Sequence, residues 1–379
     1  MPITIIYFDD QTDEHSQAAR LAMRLGRRGL IKFVLFHPPA DINDIGSIDV
    51  PDRGKILENP PDLFLVDQDL NMAVNYFGST LVAQLRSKLP EIPIVLITRR
   101  SILRNLGRET SRQLVEEMQT FDELVLKDAI DDNPEIAEQE LLTLADGFLM
   151  LRQQEGRTWS NLVRLIKADE GELDRLREAS PPLHAKAPGY EDTKNEWTVT
   201  GAAHWLRDVV IAYPGILYDS LQAATRLRIS ERSFLQEGVQ QELDGSQYEG
   251  IFAPIEKRWW SDRLLGLAQS LVTEQFGMQK TSNDFAEAYQ RKHGSELEIS
   301  RCVWDGSPSA DQMCYILKQP VKTEHSLRYY PDTRPSVMDP ARVSFRAIRE
   351  SSAFDEELLD SRSRGLLSRI QNLPDPKSE

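Results

Sequence analysis

Three acids, a hydroxyl and an amine stand at the ends of apolar runs in the first third of this chain. Asp67 closes the run Leu63-Phe64-Leu65-Val66, and Asp9 and Asp10 close Ile3-Thr4-Ile5-Ile6-Tyr7-Phe8. Thr98 ends Ile94-Val95-Leu96-Ile97, and Lys127 follows Leu124-Val125-Leu126. A carboxylate alone is a poor nucleophile toward a phosphoryl group, because both are negative. A divalent cation bridging the acid and the phosphoryl oxygens removes that repulsion, and an ammonium neutralises the remainder. Magnesium takes hard oxygen ligands and keeps several waters, so two or three carboxylates suffice for it. A threonine hydroxyl can hydrogen-bond a phosphoryl oxygen. Each residue alone reads equally well as a helix cap or a solvated end charge. Their joint occurrence in this order carries the chemistry.

The elements that must position them alternate as a βα series. Residues 12–29 carry helix signals, with Thr12 or Asp13 as cap and Ala18, Leu21, Ala22 and Leu25 on one side. Ile31 to Phe36 is a second strand. Ser79 to Leu89 reads as a helix ahead of Pro90 and Pro93, and Arg108 to Met118 as another. Asn133-Pro134 opens a further helix, where the missing N–H of proline costs little. In an open parallel α/β sheet, ligands bind outside the carboxyl ends of the strands, where all five groups fall.

This pattern resembles the receiver domain of bacterial response regulators over roughly the first 150 residues. The resemblance implies an α/β, flavodoxin-like, doubly wound sheet of five parallel strands. Carried over residue by residue, it makes Asp67 the phosphoacceptor, and Asp9 and Asp10, with Asp67, the ligands of Mg2+. Thr98 and Lys127 become the groups that contact the phosphoryl oxygens, and the donor is a histidine kinase or phosphotransfer protein. Four departures are expected to mute the conformational response. Asp128 follows Lys127 where receivers usually carry proline, and Leu124 replaces a common aromatic. Arg99 and Arg100 follow Thr98 where small residues are usual. The segment His37 to Pro61 is long and proline-rich, which is expected to displace the usual second helix.

Length and composition bound the rest. With 379 residues, two domains are expected. A formal net charge of −15 argues against a generic nucleic-acid or anionic-membrane binder, because phosphate binding relies on Lys and Arg. The two cysteines, Cys302 and Cys314, imply no disulfide framework. The chain opens on a strand-like run rather than a signal peptide, and no apolar stretch approaches the roughly 20 residues that span a bilayer. A cytoplasmic protein is expected.

The predicted domains are a receiver at 1–152, a helical connector and Pro-rich linker at 153–196, and a mainly helical output domain at 197–379. Trp159, Leu162, Ile166, Leu173 and Leu176 follow a spacing that suits either a short coiled-coil seam in a homodimer or a helix packed on its own domain. Beyond the linker, helices are expected at 200–212, 215–228, 254–276 and 282–293, with a hairpin from Leu297–Trp304 and Gln312–Lys318. Phe354 to Leu373 reads as a final amphipathic helix. Residues 220–243 resemble a helix-turn-helix, but the acids after Ser230 cancel its arginines, and groove entry wants positive flanks. His293, Cys302, Cys314 and His325 are too irregularly spaced for a zinc site without help from the fold. Arg258-Trp259-Trp260 and Leu327-Arg328-Tyr329-Tyr330 read as interface patches or internal cation–π packing. No output active site stands out, so the chain is not expected to be an enzyme. The reading is a two-component response regulator signalling through contact with an effector protein. Two alternatives stay open: a DNA-binding regulator using 220–243, and a phosphate sink or degenerate receiver, for which a multi-gene bacterial signalling module, such as one for defence, would be one setting.

Overall fold

A computed structural model describes residues 2–13, 16–70, 74–99, 121–179, 197–253, 257–330 and 339–374. The chain divides into two compact units: residues 1–161 with 194–204, and residues 162–193 with 205–379.

In unit 1, five parallel strands form one sheet: β1 (Ile3–Phe8), β2 (Ile31–Phe36), β3 (Leu63–Asp67), β4 (Ile94–Thr98) and β5 (Glu123–Leu126). Their order is β2-β1-β3-β4-β5. The three central strands are apolar apart from Thr4 and the terminal Asp67 and Thr98, and almost wholly buried, as parallel strands between helical layers must be. Ile6, Phe8, Phe64, Val66, Ile94 and Leu96 pack with Leu81, Val82 and Leu85 of α2 (Gly78–Lys88). Each such side chain contributes about 1.5–3 kcal/mol on burial.

Helix α1 (Gln17–Leu25) begins later than the sequence suggests. Ser16, rather than Thr12 or Asp13, caps it by accepting the Ala19 N–H. Between β2 and β3 the structure has a 3-10 turn (Ile42–Ser47) and a small hairpin pairing Asp49–Val50 with Gly54–Lys55. Pro38, Pro39 and Pro51 deny that segment the N–H groups of a regular helix, yet Ile45, Val50 and Ile56 still fill the core. The helix expected at Arg108–Met118 lies outside the described residues, as does most of the linker.

After β5 come α3 (Lys127–Asp132) and α4 (Pro134–Arg152), the latter with proline in its first turn as expected. Residues 197–204, beyond the linker, return to unit 1. Trp197 donates its indole N–H to the Thr158 carbonyl at 2.9 Å. His204 Nε2 lies 2.8 Å from Asp122 Oδ1. Asp122 Oδ2 also accepts the Ile94 N–H at 2.7 Å and pairs with Arg86 of α2. Burial alone would raise the Asp122 carboxyl, but the His204 hydrogen bond and the Arg86 charge bring it below the ordinary value.

Unit 2 is substantially helical. Its longest helix, Ser261–Phe276, packs against Phe285–His293 around Phe234, Trp259 and Leu264. A second core gathers Cys302, Trp304, Cys314, Val343 and Ile348. Several sequence expectations change here. The Trp159 to Leu176 run is two short helices, Trp159–Leu165 and Glu170–Glu178, parted at Lys167, which has φ 56°. Leu162, Ile166 and Leu176 are fully buried within the chain and so cannot offer an intermolecular seam. Residues 200–211 join the α-helix Val199–His204 to a π-helical stretch, Trp205–Ile211. The segment 220–243 forms three short helices, Ser220–Arg226, Glu231–Phe234 and Glu237–Glu242. Phe234 and Val239 point into the core, so no continuous recognition helix exists there.

The hairpin pairs Gln312–Met313 with Pro320–Val321 rather than with residues 297–304. Ser326–Tyr329 pairs with Ala341–Ser344. The final amphipathic run breaks into Ser361–Arg364, capped by Asp360, and Leu367–Gln371. Trp259 and Trp260 are core residues, with Arg263 stacked 5.0 Å from the Trp260 ring centre; Tyr329 is buried and Tyr330 exposed. Among the described residues no helix is long and apolar enough to cross a membrane.

Candidate functional site

Strand register sets the site. Phe8 pairs with Val66 and Asp67 with Ile97, while Thr98 pairs with Leu126. Asp9 is therefore one residue past the end of its pairing, Asp67 and Thr98 end their strands, and Lys127 is the first residue of α3. All four meet one edge of the sheet because the strands are parallel and in register. Asp9, Asp67, Thr98 and Lys127 are each buried, and Asp10 is half-buried beside them.

The Lys127 ammonium bonds Asp67 Oδ2 and lies 3.7 Å from Asp9 Oδ2. Asp9 Oδ1 accepts the Gln11 N–H at 2.9 Å, and Asp67 Oδ1 faces the Asp69 N–H at 3.3 Å. Among the described residues, the buried Thr98 hydroxyl oxygen has no hydrogen-bond partner. A buried hydroxyl left so costs about 1–3 kcal/mol, and such a group asks for a ligand. Burial pushes the Asp67 carboxyl up to about 6; the Lys127 charge and hydrogen bond oppose that rise, and the nearby Asp9 adds to it.

Two contributors were missed in the sequence. Tyr7 donates its hydroxyl to Asp9 Oδ2 at 3.0 Å. Burial, with the charges of Asp9 and Asp67, holds that phenol well above its ordinary value, so it stays a donor. The signal was present: residues i and i+2 of a strand share a face, which puts Tyr7 on the side of Asp9. Gly78 opens α2 directly over the Asp67 backbone. A Cβ there would fall 2.0 Å from the Asp67 carbonyl oxygen. The Gly78 N–H donates to the Gln68 carbonyl at 3.0 Å, which fixes the turn after the acceptor.

The departures have visible outcomes. Arg99 is exposed and reaches Gln17 of α1 rather than the acids. Arg100 lies outside the described residues. Leu124 packs against the sheet core, and the Lys127–Asp128 peptide is trans.

Magnesium fits by donor chemistry, since Asp9 and Asp67 present hard oxygens side by side. Among the described residues, however, Asp9, Asp10 and Asp67 do not converge as a set of three within 4.8 Å of one another. The ammonium of Lys127 contacts the first and last of them instead.

Strand order decides the class. The arrangement β2-β1-β3-β4-β5 is the flavodoxin-like 2-1-3-4-5 order. Unit 1 has the flavodoxin-like fold. No protein-family model matches the chain, and no curated protein matches it. Among solved structures it is similar to a CheY-like response regulator receiver domain protein from Methanospirillum hungatei JF-1, at 14% identity over 39% of this chain and 98% of that one, TM-score 0.28. It is also similar to the receiver domain of NtrX from Brucella abortus, at 16% identity over 38% of this chain and 97% of that one, TM-score 0.26. A third is the RcsB response regulator of Salmonella typhimurium, in a structure concerned with DNA interaction, at 14% identity over 55% and 91%, TM-score 0.28.

Proposed function

We propose that the chain is a response regulator that accepts a phosphoryl group on Asp67 and signals through protein–protein contact. The observation that carries this reading is the buried Lys127 ammonium bonded to Asp67 beside Asp9, at the carboxyl edge of a receiver sheet. Above about pH 6 Asp67 is a carboxylate. Its oxygen attacks the donor phosphorus, the P–N bond of a phosphohistidine on a kinase or phosphotransfer protein breaks, and the imidazole leaves. Asp9, Asp10 and Asp67 would hold Mg2+, which when bound screens acid from phosphoryl group. Lys127 then exchanges its carboxylate partner for phosphoryl oxygens, and the Thr98 hydroxyl gains the acceptor it lacks.

An effector protein, rather than DNA, is the favoured output partner. The formal charge of −15 repels phosphates, and the 220–243 helices spend their apolar faces on the core. The test is intact mass after incubation with Mg2+ and a small phosphodonor, and separately with a candidate kinase. One phosphoryl adduct is expected, absent in Asp67→Asn. An unmodified mass with every donor would leave a phosphate-independent interaction domain.

A further inference from the structure

Cys302, Asp305 and His325 lie far from the receiver acids in sequence and belong to unit 2. Two turns bring them together. In the first, the Cys302 N–H donates to the Ser307 carbonyl and the Gly306 N–H to the Cys302 carbonyl, each at 2.8 Å. Gly306 sits at φ 71°, where a side chain is disfavoured. The second is the 3-10 turn Thr323–His325, tied down by Thr323, whose N–H and hydroxyl both donate to Asp311 at 2.8 Å. The Val303 N–H donates to the Pro320 carbonyl at 2.8 Å, which joins the two turns.

Within this frame Cys302 Sγ is 3.5 Å from His325 Nδ1, and that nitrogen is 3.7 Å from Asp305 Oδ2. All three ligand-type atoms lie within 4.8 Å of one another. The other carboxylate oxygen, Oδ1, is held by the Ser307 N–H at 3.0 Å and its hydroxyl at 2.6 Å, which leaves Oδ2 aimed at the histidine. The Lys322 N–H points at the sulfur at 3.5 Å, which fixes where the Cys302 side chain sits. Tetrahedral zinc, with Zn–S about 2.3 Å and Zn–N about 2.05 Å, separates sulfur from nitrogen by about 3.6 Å. The observed sulfur–nitrogen spacing of 3.5 Å matches, and the Asp305 oxygen, 3.7 Å from the nitrogen, needs only a small shift.

A catalytic Cys-His-Asp relay fits less well. Such a relay needs the sulfur and the carboxylate on opposite ring nitrogens, whereas here both face Nδ1. A core histidine filling space would not face a sulfur and a carboxylate at once with its side chain partly open. The side chains of Asp305 and His325 are 26% and 23% exposed, so solvent reaches the cluster from one side.

We propose that Cys302, Asp305 and His325 form a binding site for a zinc-type divalent transition ion, with water as the fourth ligand. The ion would pin the 302–306 turn to the 323–325 turn. This site is separate from the oxygen-only acids of unit 1, and the proposal does not rest on phosphorylation.

The test uses the full chain, stripped with chelator and titrated with Zn2+ and with Co2+. One Zn2+ per chain, a rise in Tm on zinc addition, and a sulfur-to-cobalt charge-transfer band are expected. Cys302→Ser should abolish the band. His325→Gln and Asp305→Asn should weaken binding by at least about tenfold, since even loss of an outer partner costs that much. Asp67→Asn should leave the band intact. The partly exposed His325 and Asp305 keep the test alive if Cys302→Ser fails to fold. A folded wild-type chain showing neither the band nor zinc uptake at micromolar metal overturns the site. So does a band that survives in all three variants.

Discussion

The two units each gather acidic and other ligand-type side chains, and they handle the resulting charge in opposite ways. In unit 1 a buried ammonium from Lys127 sits against Asp67 and Asp9, so the folded chain neutralises its own acids. In unit 2 a thiol, an imidazole and a carboxylate converge on one another, with backbone and hydroxyl donors steadying the sulfur and the acid and no Lys or Arg side chain paired with them among the described residues. Under the proposed function the first arrangement exchanges partners, its cation leaving the carboxylate for an arriving anion. The second is built to receive a cation and hold it. Breaking a buried ion pair from one side is costly because it strands the other charge. The same mutation logic should therefore act on stability in unit 1 and on metal affinity in unit 2.

The largest effect should come from Lys127→Ala. It strands Asp67 and Asp9 together, and we expect about 3–5 kcal/mol lost at neutral pH. Asp67 already has a folded-state value of about 6 against an ordinary 3.8. A group raised in this way favours folding when protonated, so stability falls as pH rises from about 4 to about 6. Urea denaturation of Lys127→Ala at pH 5 and pH 8 should show the larger deficit at pH 8. An equal deficit at both would mean that the ammonium does not neutralise Asp67.

Gly78→Ala comes next. Overpacking of this kind costs about 1–3 kcal/mol. Because the clash is with the Asp67 carbonyl, phosphoryl uptake should fall along with Tm. Retained uptake at wild-type rate would show that the turn after Asp67 yields freely.

The wild-type uptake rate with a small phosphodonor should drop below about pH 6, as Asp67 takes up a proton. A flat profile between pH 5 and pH 7 would remove the raised carboxyl from the site. The smallest effect should be that of Cys314→Ser. Its sulfur accepts from the Ser344 N–H at 3.3 Å and is not in the cluster, so cobalt spectra should match wild type with a stability cost of about 1 kcal/mol. A lost cobalt band would assign the sulfur ligand to the wrong cysteine.

Unit 1 was legible because its strands are largely apolar runs whose last residues are chemically distinctive. Asp67, Thr98 and Lys127 could be placed at one edge before any coordinates, since parallel strands bring their carboxyl ends together. Tyr7 and Gly78 were harder: one acts through strand alternation, the other through a backbone approach that no pattern advertises. The helical half was legible in class and poorly in detail. The helical spacing expected of Leu359, Leu366, Ile370 and Leu373 holds only in part: Leu359 and Ile370 enter the core with Leu367, while Leu366 and Leu373 are exposed, because the run breaks into two short helices. Periodicity sees the shared face and not the break. Cys302 and His325 are separated by a hairpin and two turns, so only tertiary closure brings them within reach.

Asp122 has a consequence for anyone who divides this protein. The acid is held from below by the Ile94 N–H, from the side by Arg86, and from a distant point of the chain by His204. A gene fragment ending near residue 152 keeps every residue of the acceptor site and discards the histidine. It also discards the Thr158 turn and Trp197, whose indole N–H is bonded to it, both parts of unit 1. The piece of unit 1 expected to fold by itself therefore runs past the linker to residue 204 rather than stopping near residue 152. A fragment ending after residue 204, or a shorter one with 197–204 added back as a peptide, is the piece that reproduces its behaviour.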